Sequence, residues 1–274
     1  MTILDEIFTY KREEVSEKKG HLPLKEMQAL SGQAPPALDF LAAIDSSPAK
    51  PALIAEIKQS SPSQGLITED FDPLRLARTY QENGAAAISV LTDRRYFMGD
   101  LDDLRAIATQ KPGLPLLRKD FLWDPYQVYE SRAAGADAVL LITAGLTFSQ
   151  LRQLHDLSHE LGMVPLLEVH SMQELDLALQ LEPSMIGINN RDLRDFHVDL
   201  QVTHQLRPHI PRGICVVSES GVHSYRDVMY LMEAGVDAVL VGEALVSAPD
   251  IGAQVRALSG VEHHEDKDMR DHYT

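Results

Sequence analysis

The sequence predicts an α/β protein, a (β/α)8 TIM barrel with an N-terminal helical extension, and three observations support that prediction. Eight short apolar runs alternate with helical patterns along the 274-residue chain, and eight such units close a barrel. The runs are continuous, which is typical of parallel strands that helices cover on both faces. A helix-ending glycine recurs before a strand at Gly84, Gly135 and Gly235, where left-handed backbone is needed.

The predicted elements follow one another in the order that a barrel requires. Residues 1–48 show helical patterns around Pro35 and Pro36, and we expect them to pack on the barrel as an extension. The barrel is predicted over residues 49–260, with strands at 53–58, 85–92, 114–121, 137–143, 163–170, 184–190, 213–220 and 237–245. Helical patterns between the strands lie at 73–83, 125–134, 146–161, 172–181 and 225–234. Residues 261–274 are polar and are expected to form a disordered tail.

Composition limits the classes of partner. A formal net charge of −16 disfavours nucleic acid and anionic membranes, but a local cationic pocket can still bind a small anion. The single cysteine excludes an intrachain disulfide and a cysteine metal cluster. The charged N-terminus lacks the apolar core of a signal peptide, and no run of 18 apolar residues occurs. We therefore expect a soluble cytoplasmic protein, a monomer or weak homo-oligomer, with no membrane partner.

Charged and amide side chains at the ends of the predicted strands point to a site. Glu56 and Lys58 lie two residues apart, on one face of a buried strand, where charges are costly unless they are paired or used. Each such residue alone has an ordinary explanation, because a strand-end lysine is often a solvated rim residue and a glutamate can cap a helix. Five strands nevertheless place ionisable or amide groups at the same end, which is where barrels build active sites. Besides Glu56 and Lys58, the residues at or just beyond the ends of these strands are Ser61, Lys119, Glu168, Asn189, Arg191, Glu219 and Ser220.

The last two strand ends indicate a phosphorylated small-molecule substrate. Gly221 and Gly242 follow strands seven and eight, where barrels bind phosphate through backbone N–H groups. Lys58 and Lys119 add positive charge to the same end. Phe97 and Phe121 are suited to an aromatic part of the substrate, although packing in the core explains them equally well.

Eight segments resemble one enzyme family in order along the chain. They are AEIKQSSPSQG (55–65), SVLTDRRYFMGD (89–100), LRKDF (117–121), GADAVLLI (135–142), LLEVH (166–170), IGINNRDL (186–193), SESG (218–221) and VGEAL (241–245). On these motifs the chain is similar to the indole-3-glycerol phosphate synthase family over roughly residues 3–257. The resemblance implies ring closure of 1-(2-carboxyphenylamino)-1-deoxyribulose 5-phosphate to indole-3-glycerol phosphate, with loss of carbon dioxide and water. It implies no metal and no organic cofactor.

The resemblance also implies roles for residues. Lys119 would be the general acid at the substrate ketone, and Glu168 its acid/base partner. Glu56 would assist dehydration, and Lys58 would neutralise the substrate carboxylate or phosphate. The residues expected to be catalytic are Glu56, Lys58, Lys119, Glu168, Asn189 and Ser220. Those expected to bind substrate are Ser61, Phe97, Phe121, Leu140, Arg191, Glu219, Gly221, Gly242 and Glu243.

Four departures from the family pattern bear on affinity more than on reaction type. Gln64 stands where many members have lysine, Asp100 where a small or neutral residue is common, and Glu243 where some members have serine; the loop at 143–145 is unusual. Two rival functions stay open at this stage. One is an aldolase that forms a Schiff base through Lys119. The other is a non-catalytic phosphate-binding barrel, against which the presence of both acids and bases argues.

Overall fold

Eight parallel strands form a closed barrel in a computed structural model that describes residues 3–62, 65–192 and 196–260. Each strand pairs with the next along the chain, and the last pairs with the first. The strands are β1 Ala52–Ile57, β2 Ala87–Leu91, β3 Leu116–Lys119, β4 Ala138–Ile142, β5 Val164–Val169, β6 Met185–Asn189, β7 Cys215–Glu219 and β8 Ala238–Val241. The predicted fold class is confirmed. The predicted tail at 261–274 and Gln64 lie outside the described residues.

Helices cover the barrel and precede it. They are α1 Ile3–His21, α2 Leu24–Ser31, α3 Phe40–Asp45, α4 Pro73–Glu82, α5 Arg94–Phe97, α6 Leu101–Gln110, α7 Pro125–Ala133, α8 Phe148–Glu160, α9 Met172–Leu179, α10 Gln201–Leu206, α11 Tyr225–Ala234, α12 Glu243–Val246 and α13 Ile251–Ser259. The short strands Ser60–Ser61 and Gly65–Leu66 form a hairpin after β1. The junction glycines Gly84, Gly135 and Gly235 have φ of 99°, 93° and 82°, which confirms their predicted conformation. Within the described ranges, no helix combines the length and the apolarity needed to cross a bilayer.

The eighth strand is shorter than predicted, because the chain turns at Gly242. Strand β8 ends at Val241, and the N–H groups of Leu245 and Val246 donate to the Gly242 carbonyl to start α12. Leu245 is fully buried in this helix. In the sequence, a buried apolar residue at this position looks the same as one in a strand that continues beyond Val241. The prediction that residues 242–245 are extended was therefore wrong.

The two faces of each strand belong to two apolar clusters. Along β1, Leu53, Ala55 and Ile57 pack between the strands and the surrounding helices. Ala52 and Ile54 belong to a second cluster, inside the barrel. Both faces are thus covered, which explains why the strand sequences are continuously apolar.

Helix α1 lies across the carboxyl ends of the strands. Its Leu4, Ile7 and Phe8 are buried in the same cluster as the barrel interior. Helix α3 leads towards β1 and contacts β1 and β2, and α2 packs on α7. Helix α1 therefore brings side chains to the end of the barrel at which the site was predicted.

Candidate active site

A cleft of about 1150 Å³, including its open mouth, lies at the carboxyl ends of the strands. All of the residues predicted from the sequence for catalysis or substrate binding line it together. They are Glu56, Lys58, Ser61, Phe97, Lys119, Phe121, Leu140, Glu168, Asn189, Arg191, Glu219, Ser220, Gly221, Gly242 and Glu243. Their gathering follows from parallel strands ending at one rim of the barrel.

The centre of the cleft is an ammonium group between two carboxylates. Lys119 ends β3, and its Nζ lies 3.2 Å from Glu168 Oε2 of β5 and 3.1 Å from Glu219 Oε2 of β7. Both glutamates are almost completely buried, while the lysine side chain keeps 14% of its exposure towards the cleft. The three groups can therefore exchange protons with one another and with a bound ligand.

The pKa values of the two carboxylates are shifted in opposite directions. Burial raises the pKa of Glu219 to about 7, because the attraction of Lys119 only partly offsets desolvation and the repulsion of Glu168 and Glu56. Burial acts in the same direction on Glu168, but Lys119, His170 and a hydrogen bond from Asn189 outweigh it and lower its pKa. Separated acid and base strengths in one pocket are what proton-transfer chemistry needs.

The pKa of Lys119 is raised above its usual value. Burial alone would lower it, but the attraction of Glu219, Glu168 and Glu56 is stronger. Lys119 is therefore an ammonium ion at neutral pH rather than a neutral amine.

A glycine in β6 makes room for Glu219. A Cβ placed on Gly187 would overlap with Glu219 Oε1 and would lie 3.2 Å from Leu166. The IGIN segment of the sequence therefore contributes two things to the site, which are the Asn189 side chain and, at Gly187, the space that Glu219 occupies. Sequence analysis missed this function, because the partner of a glycine is set by the register of β6 and β7.

Glu56 and Lys58 form the next wall of the cleft. Lys58 Nζ lies 3.4 Å from Glu56 Oε1 and 5.8 Å from the centre of the Phe97 ring. A Cβ on Gly242 of the neighbouring strand end would approach Glu56 Oε1 to 2.5 Å, so the glycine admits the carboxylate. The lysine thus sits beside both an acid and an aromatic face.

One side of the cleft is apolar. The rings of Phe97 and Phe121 lie 6.0 Å apart, centre to centre, at an interplanar angle of 34°, and Leu140 lies in the same cluster. Ile3, Leu4 and Ile7 of α1 line the cleft as well. These helix residues were not predicted as site residues, although their spacing in the sequence indicates an apolar face of α1.

The corner after β7 is held in an unusual backbone conformation. Ser220 and Gly221 have φ of 66° and 87°, and the former is rare for a residue with a side chain. Asn190 supports the turn, since its Nδ2 donates to the carbonyl oxygens of Glu219 and Ser220 at 3.0 and 3.1 Å. Its Oδ1 accepts from Thr203 Oγ1 at 2.8 Å. The second asparagine of IGINN thus acts on the shape of the site.

The departures at Asp100, at 143–145 and at Glu243 have structural counterparts. Asp100 caps α6, accepting from the Asp102 N–H, and pairs with Arg94. A Cβ on Gly145 would overlap with the Phe8 ring, so this loop seats α1. Glu243 Oε2 lies 3.7 Å from an Arg191 nitrogen, so its negative charge is offset within the cleft.

A second ammonium, missed by the sequence analysis, holds α1 on the barrel. Lys11 has no exposed surface, and its Nζ lies 2.9 Å from both Asp93 and Asp120. Asp120 also accepts from Arg118, whose guanidinium reaches Glu130. The signal was present, because Lys11 falls on the stripe of Leu4, Ile7, Phe8 and Val15 that α1 buries. A charged residue on an apolar stripe indicates a buried partner.

The comparison with known families decides which family the chain belongs to. The model of the family described as "Indole-3-glycerol phosphate synthase" matches residues 4–258. The chain belongs to the indole-3-glycerol phosphate synthase family. An indole-3-glycerol phosphate synthase of Dehalococcoides mccartyi (strain CBDB1) is 50% identical over 259 residues, covering 93% of this chain and 99% of the relative. One from Roseiflexus sp. (strain RS-1) is 49% identical over 267 residues, covering 94% and 98%.

Solved structures support the fold alone. 3-Hexulose-6-phosphate synthase from Salmonella typhimurium superposes with a TM-score of 0.63 at 14% identity, covering 78% of this chain and 99% of that one. Thiamine phosphate pyrophosphorylase from Pyrococcus furiosus gives 0.58 at 17%, covering 78% and 96%. The function itself follows from membership of the indole-3-glycerol phosphate synthase family: the chain is a carboxy-lyase of tryptophan biosynthesis that acts on a phosphorylated small molecule. Within the described residues, no group of three or more His, Cys, Asp or Glu side chains is arranged to hold a metal ion.

Proposed function

We propose that this cleft closes the pyrrole ring of indole with Lys119 as general acid. The substrate is 1-(2-carboxyphenylamino)-1-deoxyribulose 5-phosphate, and the products are indole-3-glycerol phosphate, carbon dioxide and water. The observation that supports this assignment is the ammonium of Lys119 between Glu168 and Glu219, open to the cleft on its remaining side. General acids of this kind contribute about 10²–10⁴-fold to a rate.

The first step joins two carbons. The ring carbon that bears the carboxylate attacks the substrate ketone, and negative charge develops on the ketone oxygen. Lys119 donates a proton to that oxygen, which becomes a hydroxyl group. Glu168 stays ionised and steadies the ammonium before the transfer, while Asn189 orients Glu168 through its hydrogen bond.

The second step releases carbon dioxide and restores the aromatic ring. Lys58 lies against the Phe97 ring, on the side of the cleft suited to the aromatic part of the substrate. We therefore assign Lys58 to the substrate carboxylate rather than to the phosphate. Since an ionised carboxylate departs as neutral carbon dioxide, ring closure, which forms a carbon–carbon bond, and decarboxylation, which breaks one, together consume one proton per turnover.

The third step removes water. The hydroxyl group leaves with a proton supplied by the site, and the carbon beside the ring nitrogen loses a proton. We assign Glu56 to this step, as the acceptor of the carbon-bound proton, because it lies in the same cleft and holds Lys58 at 3.4 Å. The dehydration itself neither consumes nor releases a net proton.

The two ends of the cleft bind the two ends of the substrate. The aromatic ring rests on Phe97, Phe121 and Leu140, with the apolar residues of α1 above them. The phosphate lies at Ser220, Gly221, Gly242 and Glu243, with Ser61 and Arg191 along the cleft wall. Backbone N–H groups at these glycines suit phosphate, because the missing side chain permits close approach.

We further propose that the protein acts in the cytoplasm, as a monomer or weak homo-oligomer, without nucleic acid. The formal net charge of −16 supports the last point, because a polyanion would be repelled. Sedimentation velocity over a range of protein concentrations tests the oligomeric state.

The test of the reaction is direct. The purified protein is incubated with the carboxyphenylamino sugar phosphate, and indole fluorescence is followed. Product formation supports the proposal, whereas folded protein that yields no product contradicts it. Borohydride is added in a parallel sample, because reductive trapping on Lys119 would indicate the rival Schiff-base chemistry. We expect no adduct, since a Schiff-base lysine must be a neutral amine and the neighbouring carboxylates keep Lys119 charged.

A further inference from the structure

The two carboxylates that flank Lys119 differ in their other neighbours. Glu168 Oε1 lies 3.4 Å from His170 Nε2, so this carboxylate has a basic group on each side. Glu219 has Lys119 at 3.1 Å, and within the described residues neither of its oxygens has a hydrogen-bond partner of good geometry. The two acids are equally buried, so the difference between them arises from their partners.

The His170 ring is fixed from behind by α9. Its Nδ1 lies 3.0 Å from Glu174 Oε2, and the same oxygen accepts the backbone N–H of His170 at 2.8 Å. Glu174 is itself held by Ser171, whose hydroxyl donates to Oε1 at 2.9 Å while it caps α9. The sequence HSxxE thus locks an imidazole at the end of β5 through its Nδ1 side. Its Nε2 lies 3.4 Å from Glu168 Oε1, an ion-pair distance at which Nε2 makes no hydrogen bond of good geometry among the described residues.

Charges around His170 come from several elements. Glu168 of β5 and Glu219 of β7 act on it from the side of the cleft, and Glu174 of α9 acts from behind. Lys119 of β3 lies on the far oxygen of Glu168. A second cleft on its other side is lined by Asp5 of α1 and by Arg191, Asp192, His197 and Asp199 after β6. Burial would lower the pKa of His170, but the hydrogen bond to Glu174 and the attraction of the glutamates outweigh it and raise the pKa. The ring therefore keeps its proton to a higher pH than a free imidazole does.

We propose that His170 is a positioning residue that keeps Glu168 ionised and leaves Glu219 as the carboxyl group that holds a proton beside Lys119. The proposal rests on the proposed function for the chemical steps in which these groups take part. It assigns different tasks to two glutamates that make nearly equal contacts with one lysine.

The assignment provides a proton balance for the reaction. When Lys119 has given its proton to the ketone oxygen, it is a neutral amine 3.1 Å from Glu219. Glu219 then passes its proton to Lys119 Nζ, which restores the ammonium and leaves Glu219 ionised. A proton from water recharges Glu219 and accounts for the one proton that each turnover consumes.

Infrared difference spectroscopy on the free protein tests the protonation states without any substrate. At pH 6 we expect a carboxylic-acid C=O band in the wild-type protein and in Glu168→Gln, and loss of that band in Glu219→Gln. In His170→Gln we expect Glu168 to share the proton, so that the band broadens or splits. A band that disappears in Glu168→Gln and persists in Glu219→Gln would overturn the proposal, and so would its absence from wild type. This measurement stays decisive even if the proposed reaction fails.

Kinetics against pH test the effect on the reaction. Loss of the imidazolium raises the proton affinity of Glu168, so the acidic limb of kcat/KM should move up by about one pH unit in His170→Gln. Glu174→Gln keeps the imidazole and should move the limb in the same direction by less, which covers the case in which the first variant fails to fold. The matched control is His155→Gln, which changes a buried histidine paired with Asp156 on α8. An unmoved limb in both variants, or a loss of rate equal at every pH, would show that His170 is merely structural.

Discussion

Two buried lysines in this molecule each lie among carboxylates, but only one of them faces the cleft. Lys11 lies 2.9 Å from each of Asp93 and Asp120 and 3.0 Å from Glu14, and Lys119 lies 3.2 and 3.1 Å from Glu168 and Glu219. The Lys11 side chain has no exposed surface, whereas that of Lys119 keeps 14% facing the cleft. One lysine joins a helix to the barrel, and the other faces the cleft.

The carboxylates reveal the difference most clearly. Asp120 accepts from Thr92 at 2.6 Å, from Arg118 at 3.0 Å and from the Phe121 N–H at 2.8 Å, besides its contact with Lys11. These donors and charges outweigh burial and lower its pKa, while burial raises that of Glu219 to about 7. A neighbouring ammonium alone therefore does not fix the charge of a buried acid. The supply of additional donors separates Asp120 from Glu219. Asp93, the other aspartate beside Lys11, accepts from the Tyr96 N–H, and burial raises its pKa as it does that of Glu219.

The comparison predicts its largest effect at Lys119. Lys119→Met should lower turnover by about 10²–10⁴-fold, because the ketone oxygen loses its proton donor. The fold should persist, since Glu219 can stay protonated and Glu168 retains His170. Turnover is measured by indole fluorescence and folding by circular dichroism. A variant with a nearly normal rate would exclude Lys119 as the acid.

The second prediction concerns Lys11. Lys11→Met should lower the free energy of unfolding by about 3–5 kcal/mol, because it leaves buried carboxylates without their counter-ion. Lys19→Met is the matched control in the same helix, since Lys19 is 38% exposed and pairs with Asp124 at 2.7 Å. Its expected loss is about 0–1 kcal/mol. Urea titration compares the two variants, and equal losses would mean that the Lys11 cluster does not secure α1.

A third change tests the space beside Glu219. Gly187→Ala should displace this carboxylate from Lys119 and cost about 1–3 kcal/mol of stability through overpacking. We also expect a lower kcat, because Lys119 is separated from Glu219, the carboxyl group that returns a proton to it. Gly20→Ala is the control, since a Cβ there meets no atom within 4 Å. If both variants retain wild-type turnover, the position of Glu219 is not critical.

The smallest expected effect is a difference in how stability depends on pH. The pKa of Glu219 is raised from 4.5 to about 7, so the folded protein binds more protons than the unfolded chain between these values. Its contribution to stability is therefore present at low pH and is lost as the pH rises through 7. Asp120, with its lowered pKa, contributes in the opposite sense, and its share is lost on acidification.

Thermal unfolding across pH 2–9 distinguishes the two acids. Relative to Glu219→Gln, the wild-type Tm should fall as the pH rises from 5 to 8. Relative to Asp120→Asn, the wild-type Tm should instead fall as the pH is lowered below 4, where the unfolded chain takes up a proton and the folded protein does not. Parallel curves for wild type and both variants would contradict the assigned protonation states.

The barrel was predictable from sequence, because its signal is local. Each strand is covered on both faces and therefore reads as a continuous apolar run, and each junction glycine marks the end of a helix. The end of β8 was not predictable in this way, since Leu245 is buried equally well in a helix. The pairing of Ser60–Ser61 with Gly65–Leu66 was missed as well, because two-residue strands have no measurable periodicity.

The site was predictable to the extent that strand ends determine it. Parallel strands gather their carboxyl-terminal residues, so Glu56, Lys119 and Glu168 could be expected to meet. Which carboxylate keeps a proton could not be read from the chain, because it depends on distances between β3, β5 and β7. Lys11 illustrates the same limit, since 82 and 109 residues separate it from the aspartates that it contacts.

Barrel closure has a consequence for how this protein is made. Strand β8 pairs with β1, and Gly242 at its end leaves the space into which Glu56 extends. The first and last strands to leave the ribosome thus share one wall of the catalytic cleft. A nascent chain that lacks β8 has the other seven strands, but the edge of β1 that carries Glu56 is unpaired. Enzymatic activity therefore reports that β8 has paired with β1 and closed the barrel.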